Sequence, residues 1–362
     1  MKNLTIVIIL AALTLASCKK NDQPSLTPEE PIGNVLYIGG YIDDPNLFER
    51  PVYWKDGKLV LLPLPENSKS GTVTGLQYAN NTLYACGTYI DKTDGQRKGA
   101  IWKNGVFSKV AVPAGTNEVS IKDMVLSGGN IYLVGAAYPN APICYWKNNT
   151  VIAVNKEAGT NFGSEASAIS VDGNDVYLAG FVTSSDGNKT FPCYWKNGKR
   201  IDLPLSNNQS AGSVNDIIVR KGVVYASGEE EFSNQHNALY WVNGQLKISE
   251  PDNTVSSVAY GMYVNNNTIM QAGYINSNNA IKPVWWNNGV RNELPLVQVN
   301  TPAFTESIMQ SKEDVYVTGY GEKIVGTKTI DMPCYWKNGV LHELPMPGNA
   351  GYGVASKMVM GF

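Results

Sequence analysis

The sequence predicts an all-β protein, a seven-bladed β-propeller closed by pairing its C-terminal strand into its N-terminal blade. Three observations carry this expectation: a tryptophan on a fixed beat, a glycine on the same beat, and two chain ends that are each an incomplete unit. Trp54, Trp102, Trp146, Trp195, Trp241, Trp286 and Trp336 follow one another at intervals of 44 to 50 residues. Gly39, Gly87, Gly135, Gly180, Gly228, Gly273 and Gly319 precede them in turn. A period of this length marks repeat architectures such as propellers.

Each unit resolves into four short strands. In the best-marked one, Ala166 to Ile169 is the inner strand and Asp175 to Phe181 the second, whose alternating residue types fit burial on one face. Phe191 to Lys196 is the third strand, and it turns at Asn197-Gly198 into an outer strand, Lys199 to Leu203. Asn-Gly is the dipeptide favoured by type I′ hairpins, because both central residues need positive φ. The chain begins its first unit at Val35 without an inner strand, and Gly353 to Met360 is an inner strand with nothing after it. Together these fragments complete one blade, which closes the ring and leaves no long free edge.

The first residues form a processing signal. After Lys2, an apolar run from Leu4 to Leu15 leads into Leu15-Ala16-Ser17-Cys18, which looks like a bacterial lipobox. Residues 1–17 are therefore expected to be removed and Cys18 to carry the lipid. Residues 18–33 combine prolines and charges with almost no apolar side chains, the composition of a flexible tether. Fully extended, that tether reaches roughly 50 Å. Lys19 stands where an inner-membrane retention aspartate would be, so the expected location is the outer membrane, facing the periplasm or the cell surface. The propeller is expected to span residues 34–362.

The balance of 29 basic against 31 acidic residues gives no basic face for nucleic acid, and the expected partners are the membrane, a glycan or another protein. No Cys/His metal-ligand spacing is present and no cofactor is implied. There are only two histidines, His236 and His342. The arginines are scattered among blades rather than clustered, and Ser184 to Gly187 approaches an Asp-box without its correctly placed glycine. Cys144, Cys193 and Cys334 each precede Tyr-Trp at equivalent sites in different blades. Such sites lie roughly 15 Å apart, beyond the Cα separation of about 7 Å that a disulfide tolerates, so these thiols are expected to be buried and unpaired.

Trp195-Lys196-Asn197-Gly198, Trp241-Val242-Asn243-Gly244 and Trp336-Lys337-Asn338-Gly339, with the exits Leu203-Pro204, Leu294-Pro295 and Leu344-Pro345, are similar to HAF-type extracellular repeats. The chain also resembles propeller lipoproteins common in Bacteroidetes. HAF-type repeats usually carry a histidine shortly before the tryptophan, and only His236 stands comparably here. The resemblance covers nearly all of residues 34–362 and implies fold and export, without an established activity.

Two regions are candidates for function. Irregular connections on a rigid scaffold commonly carry binding; those between second and third strands (Asp43 to Arg50, Asp91 to Lys98, Ser184 to Thr190, Glu229 to Asn237, Gly321 to Ile330) and between blades (Asn155 to Ser164) share one face. The inner strands offer Lys122, Asp123, Asn215, Asp216, Tyr260, Glu306 and Lys357 toward the central channel, as candidate ligand-binding residues. The expected function is a non-catalytic binding or scaffold propeller of the bacterial envelope, its ligand a glycan, a peptide or a partner protein. The alternatives are a glycan-active hydrolase or lyase using acidic residues on the long-loop face, and a structural part of an envelope complex. The seven periodic tryptophans, occupying one position in every blade, are expected to pack blades together rather than to bind sugar.

Overall fold

The computed structural model describes residues 34–362 apart from 45, 140, 155–163, 253 and 267. The expected signal peptide, the lipidated Cys18, the tether and nearly all of the connection from Asn155 to Ser164 lie outside the described residues. Seven four-stranded antiparallel sheets form the ring. Six are consecutive in sequence, for example Glu165–Asp172, Asp175–Thr183, Thr190–Lys196 and Lys199–Asp202 from inner to outer edge. The seventh is composite: Gly353–Gly361 pairs with Val35–Asp44, followed outward by Leu47–Lys55 and Lys58–Leu61. The C-terminal strand therefore closes the ring in the N-terminal blade, as the incomplete ends predict.

The turn from third to outer strand shows why the repeat keeps its Asn-Gly. Asn197 and Gly198 have φ of 51° and 82°, values a branched side chain resists. The asparagine does a second job: its Oδ1 accepts the backbone N–H of Val176, 2.9 Å away at the start of the second strand. Asn104, Asn148, Asn243, Asn288 and Asn338 repeat the bond in other blades, and Asp56 performs it in the composite blade. One side chain thus sets the turn and ties three strands in register.

The hydrophobic core lies between blades rather than within one. One cluster joins Tyr177 and Ala179 of the fourth blade to Val214, Ile217 and Trp241 of the fifth; another joins Trp54 and Ile38 of the first to Tyr316 and Leu344 of the seventh. Every periodic tryptophan is at most 2% exposed. The indole N–H groups of Trp54, Trp102, Trp241 and Trp336 donate to the carbonyls of Pro345, Pro63, Pro204 and Pro295 in the preceding blade. Trp146 uses the carbonyl of Ala111 in the same way. Where the fifth blade exits through Glu250-Pro251, Trp286 instead donates to the Glu250 carboxylate, which Arg291 also pairs. Cys86, Cys144, Cys193 and Cys334 are buried, and none of the four is in a disulfide.

Three of the expected irregular connections prove to be hairpins. The second and third strands stay paired to Phe232↔Gln235 and to Val325↔Lys328, and in the first blade to Asp44↔Leu47. Ser233 and Asn234 take the two positive φ angles of a tight turn, so polarity alone misleads there. Asp91 to Lys98 and Ser184 to Thr190 do contain loops, organised by the Asp91 and Asp186 carboxylates.

Candidate functional site in the channel mouth

Each inner strand slips by one residue against its neighbour at the same place. The unpaired residues are Thr74, Lys122, Ser167, Asn215, Tyr260, Glu306 and Ser356. A bulge bends the strand and leaves its extra residue outside the ladder. Opposite the bulges stand Gly87, Gly135, Gly180, Gly228, Gly273, Gly319 and Gly40. A Cβ on any of them would lie 1.8 to 2.0 Å from an inner-strand carbonyl oxygen, so only glycine admits the bulge. In the first blade the equivalent residue is Gly40, not the expected Gly39, which instead packs against Val73 and Leu76. The adjacent glycines hide the difference in sequence.

The bulges create the site. All seven bulge residues, with Tyr41, Thr72 and Lys357 among others, line one cavity of about 370 Å³ on the ring axis. Thr72 and Tyr41 lie beyond the bulge toward the long connections, so the cavity is the mouth of the channel on that face. Five of the seven sequence candidates line it: Lys122, Asn215, Tyr260, Glu306 and Lys357. Asp123 and Asp216 follow their bulges by one residue and form a layer with Lys357 beneath.

Several of these candidates are engaged in holding the ring. Inner strands of neighbouring blades diverge and cannot form a ladder, so side chains bridge them. Asp216 accepts the backbone N–H groups of Ile217 and of Met262 in the next blade, both at 2.8 Å. Asp123 accepts the N–H of Ile169 more weakly, at 3.4 Å. Asn215 donates to the Ala259 carbonyl at 2.9 Å, and Lys122 pairs with Glu165. Glu306 and Lys357 differ: neither has a direct hydrogen bond or ion pair among the described residues.

Burial pushes the Glu306 carboxyl up to about 7, although the Lys357 charge opposes this. Asp123 rises to about 6, by burial first, with Lys357 pulling down and Asp216 pushing up. Asp216 is raised by burial too. Burial alone would lower the Lys357 ammonium; the charges of Asp123, Asp216 and Glu306 overcome it and hold the group above the ordinary lysine value. Three carboxyls thus share one cation across a water-accessible channel. Among the described residues, no group of three or more His, Cys, Asp and Glu side chains could hold a metal ion.

The mouth has two unlike sides. On one, rings from the sixth and seventh blades contact one another in turn, tilted, edge to face and stacked. Tyr260 and Tyr274 lie 6.0 Å apart, Tyr274 and Phe304 5.2 Å, and Phe304 and Tyr320 5.1 Å. Tyr41 and Tyr352, at 6.3 Å, form a separate pair in the first blade; of these rings, Tyr41 and Tyr260 line the cavity itself. On the other side stand Thr74, Lys122, Ser167 and Asn215. Glu306 touches the aromatic side: after burial, its charge is among the influences that raise the Tyr41 and Tyr260 hydroxyls and lift Tyr320 to about 12. Nearby, His236 Nδ1 lies 2.8 Å from Glu229, a bond that raises the imidazole.

Sequence reasoning missed Tyr41, Tyr274, Phe304 and Tyr320. The signal lay next to the repeating glycine: Tyr41, Tyr274 and Tyr320 each follow it directly, and Phe304 pairs with Tyr320.

No family model matches the chain, and no curated protein is significantly similar to it, so the resemblance to HAF-type repeats has no family-level support. Comparison with solved structures gives distant likenesses. The polysaccharide lyase Uly1 superposes with a TM-score of 0.42 at 11% identity, over 79% of this chain and 89% of its own. An acylaminoacyl peptidase gives 0.48 at 10% identity, over 86% of this chain and 51% of its own. The Trypanosoma rangeli sialidase gives 0.42 at 7% identity, over 77% of this chain and 55% of its own. The chain spans about half the length of the latter two.

Proposed function

We propose that this protein is a non-catalytic binding propeller of the bacterial envelope, anchored through Cys18, that holds a glycan in its channel mouth. The observation that carries the reading is the mixed lining of the mouth: Tyr41 and Tyr260, the latter at one end of a run of ring contacts through Tyr274 and Phe304 to Tyr320, share a cavity of about 370 Å³ with Thr74, Lys122, Ser167 and Asn215. A pyranose has an apolar face that stacks on aromatic rings and a rim of hydroxyls that need donors and acceptors. Pockets of this size with a few convergent polar groups are the usual form of a small-ligand site. The periodic tryptophans contribute nothing to it, since they are buried between blades.

A glycan-array screen of the full chain beside a Tyr260→Ala, Phe304→Ala variant tests the reading. Binding by the parent and its loss in a folded variant is expected; equal binding by both contradicts it. The anchor is tested separately by metabolic labelling with a fatty acid: the parent should take up label and partition with membranes, and Cys18→Ser should do neither.

A second reading keeps the same cavity. Glu306, raised by burial to about 7 and without a hydrogen bond or ion pair among the described residues, has the acidity of a general acid working near neutrality, as a glycan-active hydrolase or lyase would need. Release of shorter oligosaccharides from an array-positive glycan, abolished in Glu306→Gln, would favour it over simple binding.

A further inference from the structure

Glu306 is a carboxyl facing a cavity and has neither a hydrogen bond nor an ion pair among the described residues; Tyr41 and Tyr260 line the cavity with it. Tyr320 feels its charge. A carboxylate beside tyrosine rings in one cavity is the kind of environment in which organic ammonium groups are held, since ring face and carboxylate attract the same sign of charge. The charge balance points the same way. Asp123, Asp216 and Glu306 set three acids against the single ammonium of Lys357. Asp123 and Asp216 are turned toward backbone N–H groups and share that lysine, while Lys122 is neutralised by Glu165. Among the described residues, Glu306 is the acid of the three left with neither a hydrogen bond nor an ion pair. A metal ion does not fit, because the hard oxygen donors it requires do not converge among the described residues. An anionic ligand would meet the surplus of carboxyls.

We infer that the channel mouth is built for a ligand bearing a positively charged ammonium group, which Glu306 pairs and the rings of Tyr41 and Tyr260 flank. This rests on the glycan reading above only in its choice of site; within that reading the ligand is an amino sugar with a free amine. The ammonium displaces the proton that Glu306 otherwise holds, and the Lys357 layer beneath bars it from moving deeper.

Isothermal titration of the full chain in detergent tests this with four probes: a glucosamine hexamer, its N-acetylated counterpart, cellohexaose and choline. The glucosamine hexamer is expected to bind about tenfold more tightly than the two neutral hexamers, the gain of roughly one favourable cation contact. That advantage should disappear in Glu306→Gln, which keeps the side chain's shape, and survive in Tyr260→Phe, which keeps the ring. Near-ultraviolet circular dichroism of each variant checks that the ring still closes. Neutral hexamers binding as tightly as the amine would overturn the ammonium inference and leave the glycan reading standing. Choline binding that depends on Glu306, without any hexamer binding, would support the inference and overturn the glycan reading. Failure of both choline and the glucosamine hexamer to bind at millimolar concentration would overturn the inference.

Discussion

Trp54 in the first blade donates its indole N–H to the carbonyl of Pro345 in the last, 2.9 Å away in space and 291 residues away in sequence. The bond joins the two blades that the ends of the chain must bring together, and it repeats a contact made between other neighbouring blades. Trp54→Phe keeps most of the ring and loses the bond, orphaning a carbonyl. The expected cost is about 1–2 kcal/mol, and Trp54→Ala should cost about 3–5 kcal/mol by leaving a cavity. Urea unfolding followed by fluorescence measures both; a phenylalanine variant as stable as the parent would show that the closing bond contributes nothing.

The bulge glycines should be far less replaceable than the turn glycines. A Cβ at Gly135 would lie 1.9 Å from the Ser120 carbonyl oxygen, whereas at Gly105, in a turn, it would meet nothing within 4 Å. Gly105→Ala should therefore cost only the left-handed backbone penalty, about 1–2 kcal/mol. Gly135→Ala must shift the backbone of two strands and is expected to abolish soluble folded protein or cost more than about 3 kcal/mol. Comparable unfolding midpoints for the two variants would refute the assignment of the repeating glycine to the bulge.

How much of this was legible beforehand follows from the same residues. The beat of tryptophan and glycine, together with the unpaired fragments at Val35 and Gly353, suffices for blade count and closure, because ring closure depends on the order of strands alone. The bulge was not legible, since a one-residue slip leaves no mark in a strand's composition. The inner-strand repeat puts Lys122, Asn215, Tyr260 and Glu306 at one position, but it does not show that this position stands outside the ladder. Five of the seven polar inner-strand candidates line the mouth, yet sequence could not separate Asp216, which stitches two blades, from Glu306, which has no hydrogen bond or ion pair among the described residues. That distinction depends on which backbone N–H of the next blade lies within reach.

The channel cluster should make stability depend on pH. Glu306 and Asp123 take up protons more readily in the folded state, at about 7 and about 6. A carboxyl raised on folding contributes stability that is present below the unfolded value and lost as pH rises through the folded one. Stability from this source therefore declines from about pH 4 to pH 7, while the raised Lys357 keeps its contribution until well above neutrality. Exposed acids lowered on folding, such as Asp175 and Asp314, act in the opposite sense and only below about pH 4. Urea midpoints measured from pH 4.5 to 7.5 should fall for the parent and flatten in Glu306→Gln, by at most about 1.4 kcal/mol per pH unit. An unchanged slope in the variant would remove Glu306 from the cluster.

The four buried thiols should be inert in the native protein. Burial raises the Cys86, Cys144 and Cys334 thiols well above the ordinary value, with an upward push on Cys86 from Asp123 as well. The thiolate is the reactive form, so alkylation without denaturant should leave Cys86, Cys144, Cys193 and Cys334 unmodified. In denaturant without reductant all four should be labelled. Mass spectrometry that found any two of them bridged would contradict the free state.

The central claim is that the ligand of this propeller sits in the channel mouth formed by the seven bulges. A crystal structure of the chain grown with the tightest-binding glycan from the array tests it most directly. The account predicts a sugar ring stacked on the arc from Tyr260 to Tyr320, with its polar substituents within hydrogen-bond distance of Glu306, Asn215 or Lys122. Density on the opposite face of the ring, or on its outer edge, with the channel mouth empty, would contradict it.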